Sequence, residues 1–336
     1  MRVLVLGATG YVGQRLVNLL ANTSWAEPVG ASRGYTAPGL ESLRVDTRDP
    51  ASLAAALRGF DAVVNCVAGS ARAISEGSLS LAQACQTAEC TRIVHLSTMS
   101  VYGPAEGLIN EDAPLDPGLG WYGRAKCEAE AHLSDFVRGG GQAVILRPGC
   151  VFGPGSELWV GRTGRWLNSR RLGDLGAAGD GWSNLVHVDD VCQAVIAALQ
   201  LPLAPHQSAA FNLAAPDSPR WNDYFLDLAL ATGATPVPRL SQRQLLLDAW
   251  GAGPPLKVAE LLLKRFGVSP NSVPDPMPPG LLRLWKQHIQ LDTRAATKKL
   301  GLNWTPYTES LQSSAAWFLK EHQLARKVLE KPLWTH

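Results

Sequence analysis

Apolar residues in the first half of this chain fall in short continuous runs rather than in alternation. Runs at 3–6, 28–31, 42–45, 62–66, 92–96 and 143–146 read as strands, with helical patterns between them at 11–20, 50–58, 79–87 and 122–138. Strands that are apolar on both faces and separated by helices predict a parallel sheet covered on both sides. After Gly149 the pattern changes. Residues 149–183 are rich in Gly, Arg and Trp and read as a loop-and-helix insertion. Strand patterns return at 185–188 and 210–213, around a helix at 189–199 whose first turn carries two acids, a placement that suits the helix dipole. Residues 221–330 are mostly helical in pattern, broken by Pro-rich pieces at 235–238 and 270–279. The expected fold is therefore α/β. A Rossmann-type doubly wound parallel sheet spans 1–148 with returning segments at about 184–215, and a smaller, mostly helical, discontinuous substrate-binding cap spans 149–183 and 216–336.

Composition narrows the function classes. The 31 basic and 29 acidic residues leave a net charge of +2, which gives no electrostatic case for nucleic acid. No run of about 18 apolar residues exists to form an integral membrane segment. The chain opens directly on a strand, which leaves no room for a signal peptide and predicts a cytoplasmic protein. Six Cys without a C-x-x-C pair and seven scattered His predict reduced thiols and no metal site. Most of the eleven Trp fall after residue 158, which points to an aromatic core or lining in the second half.

Two motifs carry chemistry. Gly7-x-x-Gly10-x-x-Gly13 follows a strand and opens a helix. In that context Gly7 permits a tight turn, Gly10 lets the backbone approach a pyrophosphate, and Gly13 lets helix and strand pack closely. The second strand is followed by Ala31-Ser32-Arg33 with no acid to bond a ribose 2′-hydroxyl, so Ser32 and Arg33 favour the 2′-phosphate of NADP(H) over NAD(H). Asp46 is open to two roles, an adenine contact or a helix cap. Tyr122 and Lys126 lie four apart on a helix, so they share one face. A nearby ammonium stabilises a phenolate, so such a pair suits proton exchange with a carbonyl/alcohol couple. Upstream, Ser97, Thr98 and Ser100 cluster where a parallel strand ends, facing the ligand crevice of such sheets.

These segments, taken in order with Asn65–Gly69, Leu146–Pro154 and Val186–Val191, resemble an extended short-chain dehydrogenase/reductase of the NAD-dependent epimerase/dehydratase family. The resemblance covers residues 1 to about 215, with an echo at Asp292–Leu302. It implies catalytic roles for Thr98, Tyr122 and Lys126. Cofactor contacts are implied at Gly7, Thr9, Gly10, Tyr11, Val12, Gly13, Ser32, Arg33, Asp46, Thr47, Ala68, Gly69, Ser97, Tyr122, Lys126, Pro148, Gly149 and Val151. Asn65 is implied to be structural. Dehydratases of the family carry acids just after the catalytic Thr. Met99 and Ser100 stand there instead, which argues against removal of water. The stretch Gly181–Asp190 is similar to that of dihydroflavonol-reductase-like and hydroxysteroid-dehydrogenase-like members.

The expected activity is an NADP(H)-dependent reduction of a ketone or aldehyde on a small apolar or aromatic substrate, touched by Ser100, Cys150, Trp159 and Trp182. The alternative is a nucleotide-sugar epimerase or reductase using bound NAD(P), with Arg162, Arg165, Arg170 and Arg171 supplying charge for the diphosphate. A rival of another class, a non-catalytic dinucleotide sensor, predicts loss of the Tyr or the Lys, and both are present. His187 is expected to be structural. Helical patterns at Gln242–Trp250, Leu256–Phe266 and Leu281–Ile289 have three open roles: closing over a substrate, forming a homodimer face, or touching a membrane surface.

Overall fold

The structure, a computed structural model, describes residues 1–34, 41–265 and 274–329. The end of the helix expected to reach Phe266, and the first four residues of the Pro-rich piece at 270–279, lie outside the described residues. The chain divides into two compact units. The first comprises Met1–Gly149, Val186–Pro216 and Leu291–Trp304, and the second Cys150–Leu185, Asp217–Gln290 and Thr305–His336.

Seven parallel strands form the sheet of the first unit: β1 (Arg2–Leu6), β2 (Glu27–Ser32), β3 (Ser42–Arg44), β4 (Ala62–Asn65), β5 (Arg92–Leu96), β6 (Gln142–Pro148) and β7 (Ser208–Leu213). Their order is β7-β6-β5-β4-β1-β2-β3, so the direction of winding reverses between β1 and β4. Ligands of open α/β sheets bind at such a switch point, beyond the carboxyl ends of the strands. Register brings Leu6 beside Ala31 on one side and Asn65 on the other, and continues from Asn65 to His95. The strand ends that carry the motifs therefore lie side by side.

Helices α1 (Tyr11–Ala21), α2 (Pro50–Leu57), α3 (Ala71–Thr87), α4 (Trp121–Arg138) and α5 (Val188–Gln200) connect the strands. Local chemistry sets their starts. Asp49 accepts the Ala51 and Ser52 amides with Pro50 at the first helical position, Ser70 caps α3, and His187 Nδ1 accepts the Asp189 amide at α5. The core between sheet and helices is built from Leu4, Leu6, Val63, Ile93, Leu81, Leu133 and Phe136, all almost fully buried. Leu291–Trp304, placed with the cap by pattern, packs in the first unit instead. Its helix Arg294–Leu300 lies against β7 and α5. The sequence here is short and ends in Gly301 at a φ of +65°, a turn that closes the helix before it resembles the longer helices around it.

The second unit has an aromatic core. Helix α6 (Trp221–Thr232) packs Trp221 against Trp159 at 5.3 Å and against Phe225 at 5.6 Å, and Phe225 meets the edge of Trp285 at 5.3 Å. Trp166, Trp221 and Trp285 are fully buried, so these Trp form core. The segment Gln242–Arg265 is helical throughout and is called α7. The helix expected over 281–289 begins earlier, at Pro279, and ends at Lys286. Ile289–Leu291 is extended.

Candidate active site

β1 ends in a turn that no other residue type fits. Gly7 sits at a φ of +79°, and a Cβ there would meet Cys66 O at 2.9 Å. A Cβ on Gly13 would meet Gly7 O at 2.2 Å. The turn is closed by bonds from the Gly7 amide to Ala31 O at 2.9 Å and from the Gly10 amide to Gly7 O at 2.9 Å. Gly10 is the N-cap of α1 and provides no side-chain cap, so the first-turn amides of α1 face outward past exposed Thr9 and Gly10. This cradle fits the pyrophosphate of a dinucleotide, which an N-terminal dipole and bare amides both favour. Tyr11 and Val12 begin the helix, and Val12 O accepts the Cys192 thiol. Arg15, one turn on, pairs with Asp189 of α5 and ties α1 to that helix.

Ser32 is buried at the end of β2 and donates to Gly34 O at 2.9 Å, while Arg33 is exposed. Asp46 engages Arg48 with both oxygens, at 3.2 and 2.9 Å, and that guanidinium holds its carboxyl down at about 2. Asp49, not Asp46, caps α2. Thr47 lies under Gly77 of α3. Asn65 accepts the Val67 amide at 3.1 Å and reaches Ser78 at 3.4 Å, which shapes the turn leading to exposed Ala68 and Gly69. Pro148 ends β6, and the Gly149 amide bonds Leu213 O at 2.9 Å.

Thr98 follows β5 and caps the short turn Met99–Tyr102 by accepting the Ser100 amide. Its hydroxyl donates to Ser100 Oγ at 3.3 Å. α4 starts at Trp121, and Gly123 on its first turn lets the helix lie against Ser100, since a Cβ there would meet Ser100 O at 2.8 Å. That contact places half-buried Tyr122 beside Thr98, close enough for the Thr98 hydroxyl to act on the phenol. Burial raises the Tyr122 phenol above its ordinary value, and the nearby Thr98 hydroxyl works in the opposite direction. The Lys126 ammonium donates to Leu96 O at 2.5 Å, its side chain running beneath the strand end. It is almost fully buried, and desolvation pushes it down to about 8, while Cys66 and Glu130 act to raise it. Burial in turn pushes the Cys66 thiol up to about 12.

A second layer lies behind these groups. Glu130, one turn beyond Lys126, accepts from Ser97 Oγ and from Arg147 at 3.1 and 2.7 Å. Arg147 also donates to Tyr102 Oη and to Glu111 O, both at 2.9 Å, and Tyr102 Oη donates to Asn212 Oδ1 at 2.6 Å. Neither Glu130 nor Arg147 figured among the expected site residues. The i,i+4 spacing that paired Tyr122 with Lys126 also pairs Lys126 with Glu130, and was the signal available.

Val151, Cys150, Trp159 and Trp182 belong to the second unit. Cys150 is buried, and burial holds its thiol well above the ordinary range. Trp159 packs on Trp221, and Trp182 lies under the Arg220 guanidinium at 4.6 Å.

The sequence profile of the NAD dependent epimerase/dehydratase family matches residues 3–214. The chain belongs to that family. Its members are enzymes of the extended short-chain dehydrogenase/reductase type, and the seven-stranded parallel sheet is of the Rossmann kind. Among curated relatives, Protein YeeZ of Escherichia coli (strain K12) is 32% identical over 145 residues, which is 43% of this chain and 47% of YeeZ. The match thus spans about half the length of that relative. A 3-diazoavenalumate denitrifying reductase of Streptomyces is 30% identical over 226 residues, 60% of this chain and 72% of the reductase. The UDP-glucose 4-epimerase of Thermotoga maritima, solved with UDP-glucose, superposes with a TM-score of 0.72 at 20% identity, over 98% of this chain and all of the other. At that identity the likeness speaks for the fold alone.

Proposed function

We propose that this family member moves a hydride between a nicotinamide dinucleotide and the carbon of an alcohol/carbonyl pair, with Tyr122 exchanging the proton at the oxygen. The observation that carries the reading is the placement of Tyr122 beside Thr98 and Ser100 at the end of β5, one helical turn from buried Lys126, whose ammonium is held on Leu96 O. When bound, the nicotinamide supplies or accepts the hydride. Thr98 and Ser100 present hydroxyls to the substrate oxygen. Tyr122 gives its proton in reduction and takes one in oxidation. Lys126, as a cation out of water, favours the phenolate that proton donation leaves. Exposed Arg33, with no acid at the end of β2, supports NADP(H) as the dinucleotide.

For the substrate we place a nucleotide sugar first. Support comes from the UDP-glucose named with the structural neighbour and from a 27% identical relative in Escherichia coli O157:H7, N-acetyl-alpha-D-glucosaminyl-diphospho-ditrans,octacis-undecaprenol 4-epimerase, which acts on a sugar diphosphate. A second reading, a small apolar or aromatic ketone or aldehyde, is favoured by the state of the arginines expected to hold a diphosphate. Within the second unit Arg165 is bound to Asp275 and Glu157, Arg171 to Asp248, and Arg162 lies within 4 Å of Glu157, Glu260 and Asp275. Only Arg170 of the four is exposed.

The test pairs substrate and variant. Interconversion of nucleotide sugars without net nicotinamide consumption supports the first reading. Stoichiometric NADPH oxidation with an aromatic aldehyde and no nucleotide-sugar requirement supports the second. In either assay Tyr122→Phe is expected to remove nearly all turnover while dinucleotide binding survives, and full turnover by that variant refutes the acid/base assignment.

A further inference from the structure

α7 is amphipathic in the reverse sense. Gln242–Leu246 and Gly253–Arg265 are α-helical and Leu247–Ala252 forms one wider turn between them, giving a continuous helix of roughly 36 Å at 1.5 Å per residue. Leu245, Ala249, Gly253 and Glu260, four or seven residues apart, are buried and define the inner side. The outer side carries Leu246, Leu247, Trp250, Val258, Leu261 and Leu262, which are 43 to 71% exposed. Surface helices of globular proteins normally turn polar residues outward, and a cluster of large apolar groups left in water marks a contact surface.

Charge on the same helix has one sign where it faces solvent. Arg243, Lys257 and Arg265 are exposed. The two acids turn inward: Asp248 holds Arg171 at 2.9 Å, and buried Glu260 takes the Lys257 ammonium at 2.9 Å. No exposed acid interrupts the stripe from 242 to 265. A second copy of the chain is a poor partner for this face. Two-fold pairing at mid-helix sets Arg243 of one copy opposite Arg265 of the other, and parallel pairing sets each against itself, with no carboxylate to offset either. An anionic bilayer surface meets every feature together. Leucine and valine enter the acyl boundary, the Trp250 ring lies at headgroup level, and the basic groups meet lipid phosphates.

We propose that the outer face of α7 docks this protein reversibly on an anionic membrane surface. This inference is independent of which substrate the catalytic unit takes. The test is flotation of the full chain with vesicles of phosphatidylcholine alone and of phosphatidylcholine mixed equally with phosphatidylglycerol. The chain is expected to float with the mixed vesicles, to be released by added salt, and to stay behind with phosphatidylcholine. Arg243→Gln and Arg265→Gln should each weaken the partition about fivefold, as expected for one basic residue at a charged surface. Leu247→Ser with Leu261→Ser should abolish it, while melting temperature and dinucleotide binding, read on the same preparation, stay at wild-type values. Absence of flotation with the mixed vesicles overturns the proposal, and equal flotation on phosphatidylcholine overturns its electrostatic part. A concentration-dependent dimer in sedimentation velocity that the leucine pair removes assigns the face to a second copy and overturns it as well.

Discussion

Glu130→Gln tests whether the layer behind the catalytic hydroxyls is an ion pair that the fold depends on. The Glu130 and Arg147 side chains are 4% and 7% exposed and meet at 2.7 Å, so water does little to screen either charge. Buried pairs of this kind gain little net stability over apolar residues of similar volume, since desolvation offsets their attraction. Removing one partner is different, because the other is left charged in a dry site at a cost of about 3–5 kcal/mol. Glutamine keeps an oxygen for Ser97 and one Arg147 N–H, so the lower end applies, roughly 3 kcal/mol. Arg147→Met should cost a similar amount by stranding Glu130. The pair Glu130→Leu with Arg147→Met should return to within about 2 kcal/mol of wild type, since no charge is then stranded. Urea unfolding of the four proteins, followed by far-UV circular dichroism, measures all three changes. A Glu130→Gln loss below about 1 kcal/mol, or a double variant that loses the sum of the singles, refutes the buried-pair account.

Three further outcomes follow from the site. Lys126 titrates near 8 in the fold against 10.5 outside it, so the unfolded chain binds the extra proton between those values and stability rises with pH there. Cys66, raised from 9.0 to about 12, works the other way above pH 9, so the difference in stability between wild type and Lys126→Met should grow by about 1 kcal/mol from pH 8 to 9, and a flat difference contradicts the burial of a charged lysine. Gly13→Ala puts a Cβ 2.2 Å from Gly7 O and forces α1 off β1, so fluorescence titration should show dinucleotide affinity weakened at least tenfold, whereas an unchanged Kd means the turn does not hold the pyrophosphate. Arg33→Ala should raise the KM for NADPH about tenfold and leave that for NADH nearly unchanged, and an equal effect on both removes the 2′-phosphate role.

Much of the first unit was legible because parallel strands are buried on both faces and write themselves as continuous Val/Leu/Ile runs. The expected strand at 92–96 is β5 residue for residue, and the helix at 122–138 differs from α4 by one residue. The end of β6 was less visible. Arg147 is polar and falls beyond the expected run 143–146, yet it is buried in the strand because Tyr102 links it to Asn212. The direction in which a long side chain runs was not legible at all. Lys126 shares a helix face with Tyr122, but its ammonium ends on Leu96 O, since four flexible carbons can reach any acceptor beneath the strand end. In the second unit, spacing identified helices but not their partners. Arginine count suggested a diphosphate site, whereas those arginines are taken up by nearby Glu157 and by Asp248 and Asp275, 77 and 110 positions beyond the arginines they hold.

The two layers of the site divide its labour by charge. In the proposed mechanism the groups nearest the substrate are neutral hydroxyls, Thr98, Ser100 and Tyr122, whose protons can move without separating charge from its surroundings. Behind them the fold keeps one cation whose charge is adjustable, Lys126, and one pair whose charge is not, Glu130 with Arg147. Cys66 and Glu130, which lies on the same face of α4 as Lys126, act to raise it, while desolvation lowers it, so the value near 8 is the balance of these effects. The balance leaves Lys126 mostly protonated at neutral pH yet close to titration, where a small field change at the phenol alters its charge state. Changing Glu130 should therefore act on catalysis through Lys126 as well as on stability. With Glu130→Gln the lysine titrates lower, and the pH at which it loses its proton, read from the pH dependence of kcat, shifts toward acid. An unshifted profile in a folded Glu130→Gln protein would confine Glu130 to holding the strand end through Ser97.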